Sequence, residues 1–206
     1  MTFELRTPDQ DVKVPEYWNL IFLCGEMTEQ TAVEVSQKIF SIDIINKQIQ
    51  KKEPINLIIN SGGGDLNAAW QICDMMDFVD TPVYTVGLGI IASAALVVFM
   101  NGKQGKRTLS SRCAVLSHQY SWGSNGTHSD LIAVRKQQDL NMTKMLNHYK
   151  ETTGLSEKVI LKNLLTEHDI WLTPEEAIKY NIADSVITSK RKTKYKYSGK
   201  LCRKND

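Results

Sequence analysis

From residue 20 to residue 118, short apolar segments alternate with segments whose apolar residues recur at helical spacing. This alternation constrains the fold more than any other feature. Parallel strands need a long crossover between them, usually a helix, so a β-α-β-α run builds a largely parallel sheet with helices packed on it. Leu20–Leu23, Ile55–Ile59, Val83–Val86 and Ala114–Leu116 read as strands, the first ending at Gly25 and the third at Gly87. Ala32, Val35, Ile39 and Ile42, three and four apart, predict a helix over 28–42. A second helix is expected over Leu66–Phe78. Ile91–Met100 is apolar on all sides and reads as a buried helix.

Past residue 118 the pattern turns helical. Asp130–Thr152 is the longest helix expected, with Ser129 as its cap and Gly154 as its stop, and Ser156–Leu165 is a further one. Thr173-Pro174-Glu175-Glu176 is a capping box with proline at the first helical position, the strongest local signal in the chain. At 206 residues the chain is long enough for one domain with a sizeable core and no staples. The division expected is an arm over 1–17, a domain over 18–189 and a tail over 190–206.

Charge sharpens that division. Of 25 basic and 23 acidic residues, eight basic and one acidic fall in 190–206, giving that tail +7 and leaving −5 for the rest. The body is therefore not a basic nucleic-acid surface, and the tail reads as a solvated extension. The most apolar stretch, Ile90–Met100, has eleven residues, against the roughly 20 a membrane span needs. Cys24, Cys73 and Cys113 sit among apolar neighbours and read as reduced core residues, while Cys202 lies in the tail. No two cysteines have zinc-type or redox spacing, and no secretory leader is visible, so a cytoplasmic protein is expected.

Three features are of the kind that carries chemistry. Ser93 lies among Ala92, Ala94 and Ala95, where a strand passes into the buried helix. A serine on such a turn sits beside backbone N–H groups that can face a developing oxyanion. Gly62-Gly63-Gly64 follows a strand and allows close backbone approach, but it is neither a dinucleotide fingerprint nor a phosphate-binding loop. His118 follows the strand Ala114–Leu116, at a strand end of the kind where active sites collect in α/β sheets. Each also has a plain structural explanation: a helix cap, a turn, a surface histidine. His128, His148 and His168 stand in polar contexts and show no metal-ligand spacing. Together, serine, histidine and backbone donors make a nucleophile, a base and an oxyanion hole. A carboxylate should orient the histidine, and Asp169 is one of several candidates by position.

These segments, in this order, resemble the proteolytic subunit of the Clp (caseinolytic) protease family from about Ile21 to Ile187. Ile58-Ile59-Asn60-Ser61-Gly62-Gly63-Gly64 resembles its I-N-S-P-G-G turn, with Gly62 in place of proline. Gly89-Ile90-Ile91-Ala92-Ser93-Ala94-Ala95 resembles its nucleophile motif G-x-A-A-S-M-G, and Gly105-Lys106-Arg107 the G-K-R that follows. Ser117-His118-Gln119 resembles its histidine motif, with Tyr120 where the family has proline. Asp169-Ile170-Trp171-Leu172-Thr173-Pro174-Glu175-Glu176-Ala177 and Asn181-Ile182-Ala183-Asp184-Ser185 resemble its two closing segments, with His168 where an arginine often precedes the aspartate.

The resemblance implies a spiral of β-β-α units related to the crotonase fold, with a protruding helical handle over about residues 119–153. It implies Ser93 as nucleophile, His118 as general base, Asp169 as orienting carboxylate and the N–H groups of Gly64 and Ala94 as the oxyanion hole. It further implies that an extended peptide binds along Gly63, Asp65 and Leu66 and along Gln119, Tyr120, Ser121 and Trp122. No cofactor and no metal are implied. The partners implied are copies of the chain in two stacked heptameric rings, unfolded polypeptide substrates, and an AAA+ unfoldase docking at a pocket that includes Ile58 and Phe78. Two other readings share this fold: a catalytically silent ring subunit, and a crotonase-type acyl-CoA enzyme. The presence of Ser93, His118 and a fitting Asp together argues against both.

Overall fold

The computed structural model describes residues 18–187; the arm expected over 1–17, the tail expected over 190–206 and Cys202 lie outside the described residues. The elements are β1 (Leu20–Met27), α1 (Glu29–Gln48), β2 (Ile55–Gly64), α2 (Leu66–Phe78), β3 (Val83–Ala92), α3 (Ala94–Met100), β4 (Arg107–Ser110), β5 (Ala114–Ser117), α4 (His128–Thr153), α5 (Glu157–Asn163), β6 (Ile170–Leu172), α6 (Pro174–Lys179) and β7 (Ser185–Ile187). The sheet runs β1-β2-β3-β4-β7 with every pairing parallel. β5 pairs parallel with the far end of β3, and β6 antiparallel with β5. The expected α/β class with a largely parallel sheet is what the chain forms.

Helix α2 matches its expected bounds, and its N-cap Asp65 accepts from the Ala68 N–H at 2.8 Å. The box at Thr173 and Glu176 closes as read. Helix α4 starts earlier than expected, because Thr127 and Asp130 form a box that outcompetes Ser129; it stops at Gly154, which is left-handed as the reading required. The larger corrections concern strands. β1 runs through Gly25 to Met27, β2 through all three glycines, and β3 through Gly87 to Ala92. Consequently Ile91 and Ala92 are strand rather than helix. Each extension continues the ladder of a neighbouring strand, and that tertiary pairing overrides the glycines' local preference for a turn.

The core lies between the sheet and α1, α2 and α3. All seven residues of α3 are buried, as its all-round apolarity predicts. Cys73 and Cys113 are buried, but Cys24 is exposed, because period-two alternation along β1 turns it outward while Leu23 faces in. His148 is also a correction. It is buried, it donates from Nε2 to the Val97 carbonyl at 2.9 Å, and it meets Trp70 edge-on. Burial pushes its imidazole below the ordinary range and keeps it neutral.

One polar group organises the far side of the sheet. Arg107 on β4 is 1% exposed. Its Nε and Nη2 donate to the Asp184 carboxylate at 3.0 and 2.7 Å, and its Nη1 donates to the Thr152 carbonyl at 2.8 Å. The Arg107 backbone N–H also donates to Asp184. A planar guanidinium thus ties β4, the approach to β7 and the end of α4 into one unit.

Candidate active site

Ser93 occupies the single residue between β3 and α3, with φ 56° and ψ −126°. A non-glycine residue held there costs about 1–3 kcal/mol and persists only when its surroundings impose it. They do so here: the Ser93 N–H donates to the Leu116 carbonyl at 3.1 Å, and its carbonyl accepts from Leu96 at 2.9 Å. Although Ser93 stands at the N-cap position, its side chain makes no cap hydrogen bond. Instead Oγ lies 2.7 Å from Nε2 of His118. The simple helix-cap explanation of Ser93 therefore fails.

His118 is fixed by its neighbours. Ser117 donates to the Leu164 carbonyl at 2.8 Å and shares a 2.8 Å hydrogen bond with the Tyr149 hydroxyl. Gln119 Nε2 donates to the Leu165 carbonyl at 2.8 Å. Both flanks of the histidine are thus pinned to the segment that leads from α5 toward Asp169. Asp169 Oδ1 lies 3.6 Å from His118 Nδ1, a contact longer than a hydrogen bond, and its side chain is 59% exposed.

The glycine run passes directly beneath this pair. Gly63 has φ +96°, and a Cβ there would lie 2.7 Å from the Ala92 carbonyl oxygen and 2.8 Å from the Ser93 Cβ. Only glycine lets β2 approach this closely. Gly63→Ala is expected to displace Ser93 and lower the rate of any reaction at its hydroxyl at least 100-fold, the scale of a roughly 1 Å misplacement of reacting groups. Steady-state rates beside a circular dichroism spectrum check it; near wild-type rates would show that the close approach is dispensable.

A cleft of about 340 Å³ opens beside Ser93. It brings together Gly64, Asp65, Leu66, Ala94, His118, Tyr120, Ser121 and Trp122, all named from the sequence. Gly63 lies under the Ser93–Ala94 backbone. Gln119 spends its amide on Leu165 and does not line the cleft. Sequence reasoning missed Asn67, Val97 and the wall that α4 supplies: Gln138, Asn141, Met145 and Tyr149. Their spacing of three, four and four is a readable helical stripe, but it is polar at one end, so it gives no hydrophobic signal. Among the described residues no group of three or more His, Cys, Asp and Glu side chains could hold a metal ion. No helix there is long and apolar enough to cross a membrane.

Chemically, a hydroxyl bonded to an imidazole and set among backbone N–H groups is equipped to attack a carbonyl. Comparison with known proteins agrees on the class. The profile of the Clp protease family matches residues 13–190. The chain is 29% identical over 188 residues to the ATP-dependent Clp protease proteolytic subunit 2 of Treponema denticola, covering 90% of this chain and 91% of that protein. It is 32% identical to subunit 2 of Bifidobacterium longum, over 79% of this chain and 78% of that one. To subunit 1 of Leifsonia xyli it is 33% identical, over 82% and 83%. The chain belongs to the Clp protease family, and its parallel sheet with packed helices is consistent with the fold of that family.

Proposed function

We propose that this chain is a serine endopeptidase subunit that cleaves unfolded polypeptides inside a double-ring chamber served by an ATP-driven unfoldase. The observation that carries the reading is the strained Ser93, with its Oγ 2.7 Å from His118 Nε2 and free of any capping duty. His118 takes the Ser93 proton as Oγ attacks the substrate carbonyl, and returns it to the leaving amine. The acyl-enzyme is then hydrolysed by a water that His118 deprotonates. The N–H groups of Gly64 and Ala94 carry the oxyanion, in keeping with their place on the cleft beside Ser93. Asp65, Leu66, Tyr120, Ser121 and Trp122 border the extended peptide, and Gly63 shapes the floor.

Asp169 orients the imidazole. Because its carboxylate is solvent-exposed and 3.6 Å away, Asp169→Asn should lower kcat by about 100-fold, less than the ~10⁴-fold loss seen for a buried, hydrogen-bonded triad carboxylate. A loss of only a few-fold would remove Asp169 from the machinery.

Assembly into two stacked heptameric rings is supported by the apolar residues that α4 leaves exposed, Leu131, Ile132 and Leu140. Docking of an AAA+ unfoldase is supported by Phe78, 73% exposed, and by Ile58, which pairs in register with the exposed Phe22 on β1. The relatives' shared description as ATP-dependent subunits points the same way. A cytoplasmic location belongs to the same reading. The deciding experiment is labelling by a fluorophosphonate that lacks a peptide. Wild type should label and Ser93→Ala should not. An unlabelled wild-type protein in an intact tetradecamer would make it a silent ring subunit.

A further inference from the structure

The α4 wall of the cleft is divided in character. Met145 and Tyr149 are buried, whereas Asn141 and Gln138, one and two turns before Met145, are half-buried carboxamides. Asn67, from the first turn of α2, adds a third carboxamide. Among the described residues none of these three side chains has a hydrogen-bond partner, although Gln138 does accept through its backbone oxygen from the Tyr120 hydroxyl. The one acid on the lining, Asp65, is engaged in capping α2. Lysine and arginine are absent from the lining.

We infer that this cleft selects substrates by the side chain on the acyl side of the cleaved bond, favouring a carboxamide, that of Gln or Asn, over an aliphatic chain. The inference rests on the serine peptidase reading above and deepens it. An aliphatic side chain entering here would strip water from the half-buried carboxamides of Gln138 and Asn141 and leave them unpaired. A charged one would find no uncommitted counter-ion. A carboxamide is both donor and acceptor, so it can pair with Gln138, Asn141 and Asn67 while its methylenes lie against Met145 and Val97. Because the cleft is open to solvent on one side, the discrimination is smaller than in an enclosed polar pocket, about 10- to 100-fold.

The test uses two peptidyl diaryl phosphonates that differ only in the side chain next to phosphorus, carboxamide in one and isobutyl in the other. In both, Ser93 Oγ would bond to phosphorus as an aryl oxide leaves with the proton passed through His118. The carboxamide probe should label 10- to 100-fold faster. The double variant Gln138→Leu, Asn141→Val should reverse the order, read as the ratio of the two probes' labelling rates within the same protein. Equal rates, or faster labelling by the isobutyl probe in wild type, overturn the selectivity and leave the peptidase reading standing. Absence of fluorophosphonate labelling overturns the peptidase reading, and the selectivity with it.

Discussion

Ser93→Ala is expected to lower peptide hydrolysis by about 10⁵- to 10⁶-fold, the scale set by removing the nucleophile from a serine peptidase. The fold should survive the change. Ser93 makes its structural hydrogen bonds through backbone atoms, to Leu116 and Leu96, and alanine keeps both. What disappears is the hydroxyl hydrogen-bonded to His118. His118→Ala should cost nearly as much, and the double variant little more than either alone, because the two side chains act as one unit. The measurement is hydrolysis of a short fluorogenic peptide. A residual rate within tenfold of wild type in Ser93→Ala would move the chemistry to another residue and sink the proposed mechanism.

Arg107→Met carries the largest expected cost in stability. It leaves the Asp184 carboxylate, 17% exposed, without the guanidinium that pairs with it. Breaking a buried ion pair from one side typically costs about 3–5 kcal/mol, which for a domain of this size lowers Tm by roughly 10 °C. The double variant Arg107→Met, Asp184→Leu should recover part of that loss, since no charge is then left unpaired. Thermal unfolding followed by circular dichroism checks both; a fall under about 3 °C for Arg107→Met would mean the pair contributes little.

The same pair sets an acid limit. Burial raises the Asp184 carboxyl, but the hydrogen bonds and charge of Arg107 outweigh it and hold the group below the ordinary carboxylate range. A carboxyl depressed by folding stabilises above its unfolded value, near 4, and loses that contribution as pH falls through the folded value. Wild type should therefore lose stability below about pH 4, and Asp184→Asn should flatten that dependence.

Local physics made several elements legible in the sequence. The Thr173 box, the Gly154 stop and the all-apolar α3 depend on residues within one or two turns of each other, so their spacing suffices. Ser93 and His118 were legible as candidates by their places on a strand-to-helix turn and at a strand end. The resemblance to the Clp proteolytic subunit ordered them into one site. The lengths of β1, β2 and β3 were not legible, because pairing with distant strands carries each of them through glycines that locally signal a turn. Cys24 and His148 were misread for the same reason: which face is covered depends on what packs there.

Periodicity and short motifs were enough for the α/β class, the order of elements and the presence of a serine, a histidine and glycines at strand ends and turns. It took the folded chain to bring Ser93 Oγ to His118 instead of to a helix cap, to require a bare Gly63 beneath it, and to wall the cleft with carboxamides from α4. Those are contacts between β3 and β5, β2 and β3, and α3 and α4. They join residues 25 to more than 50 positions apart, beyond the reach of any local pattern.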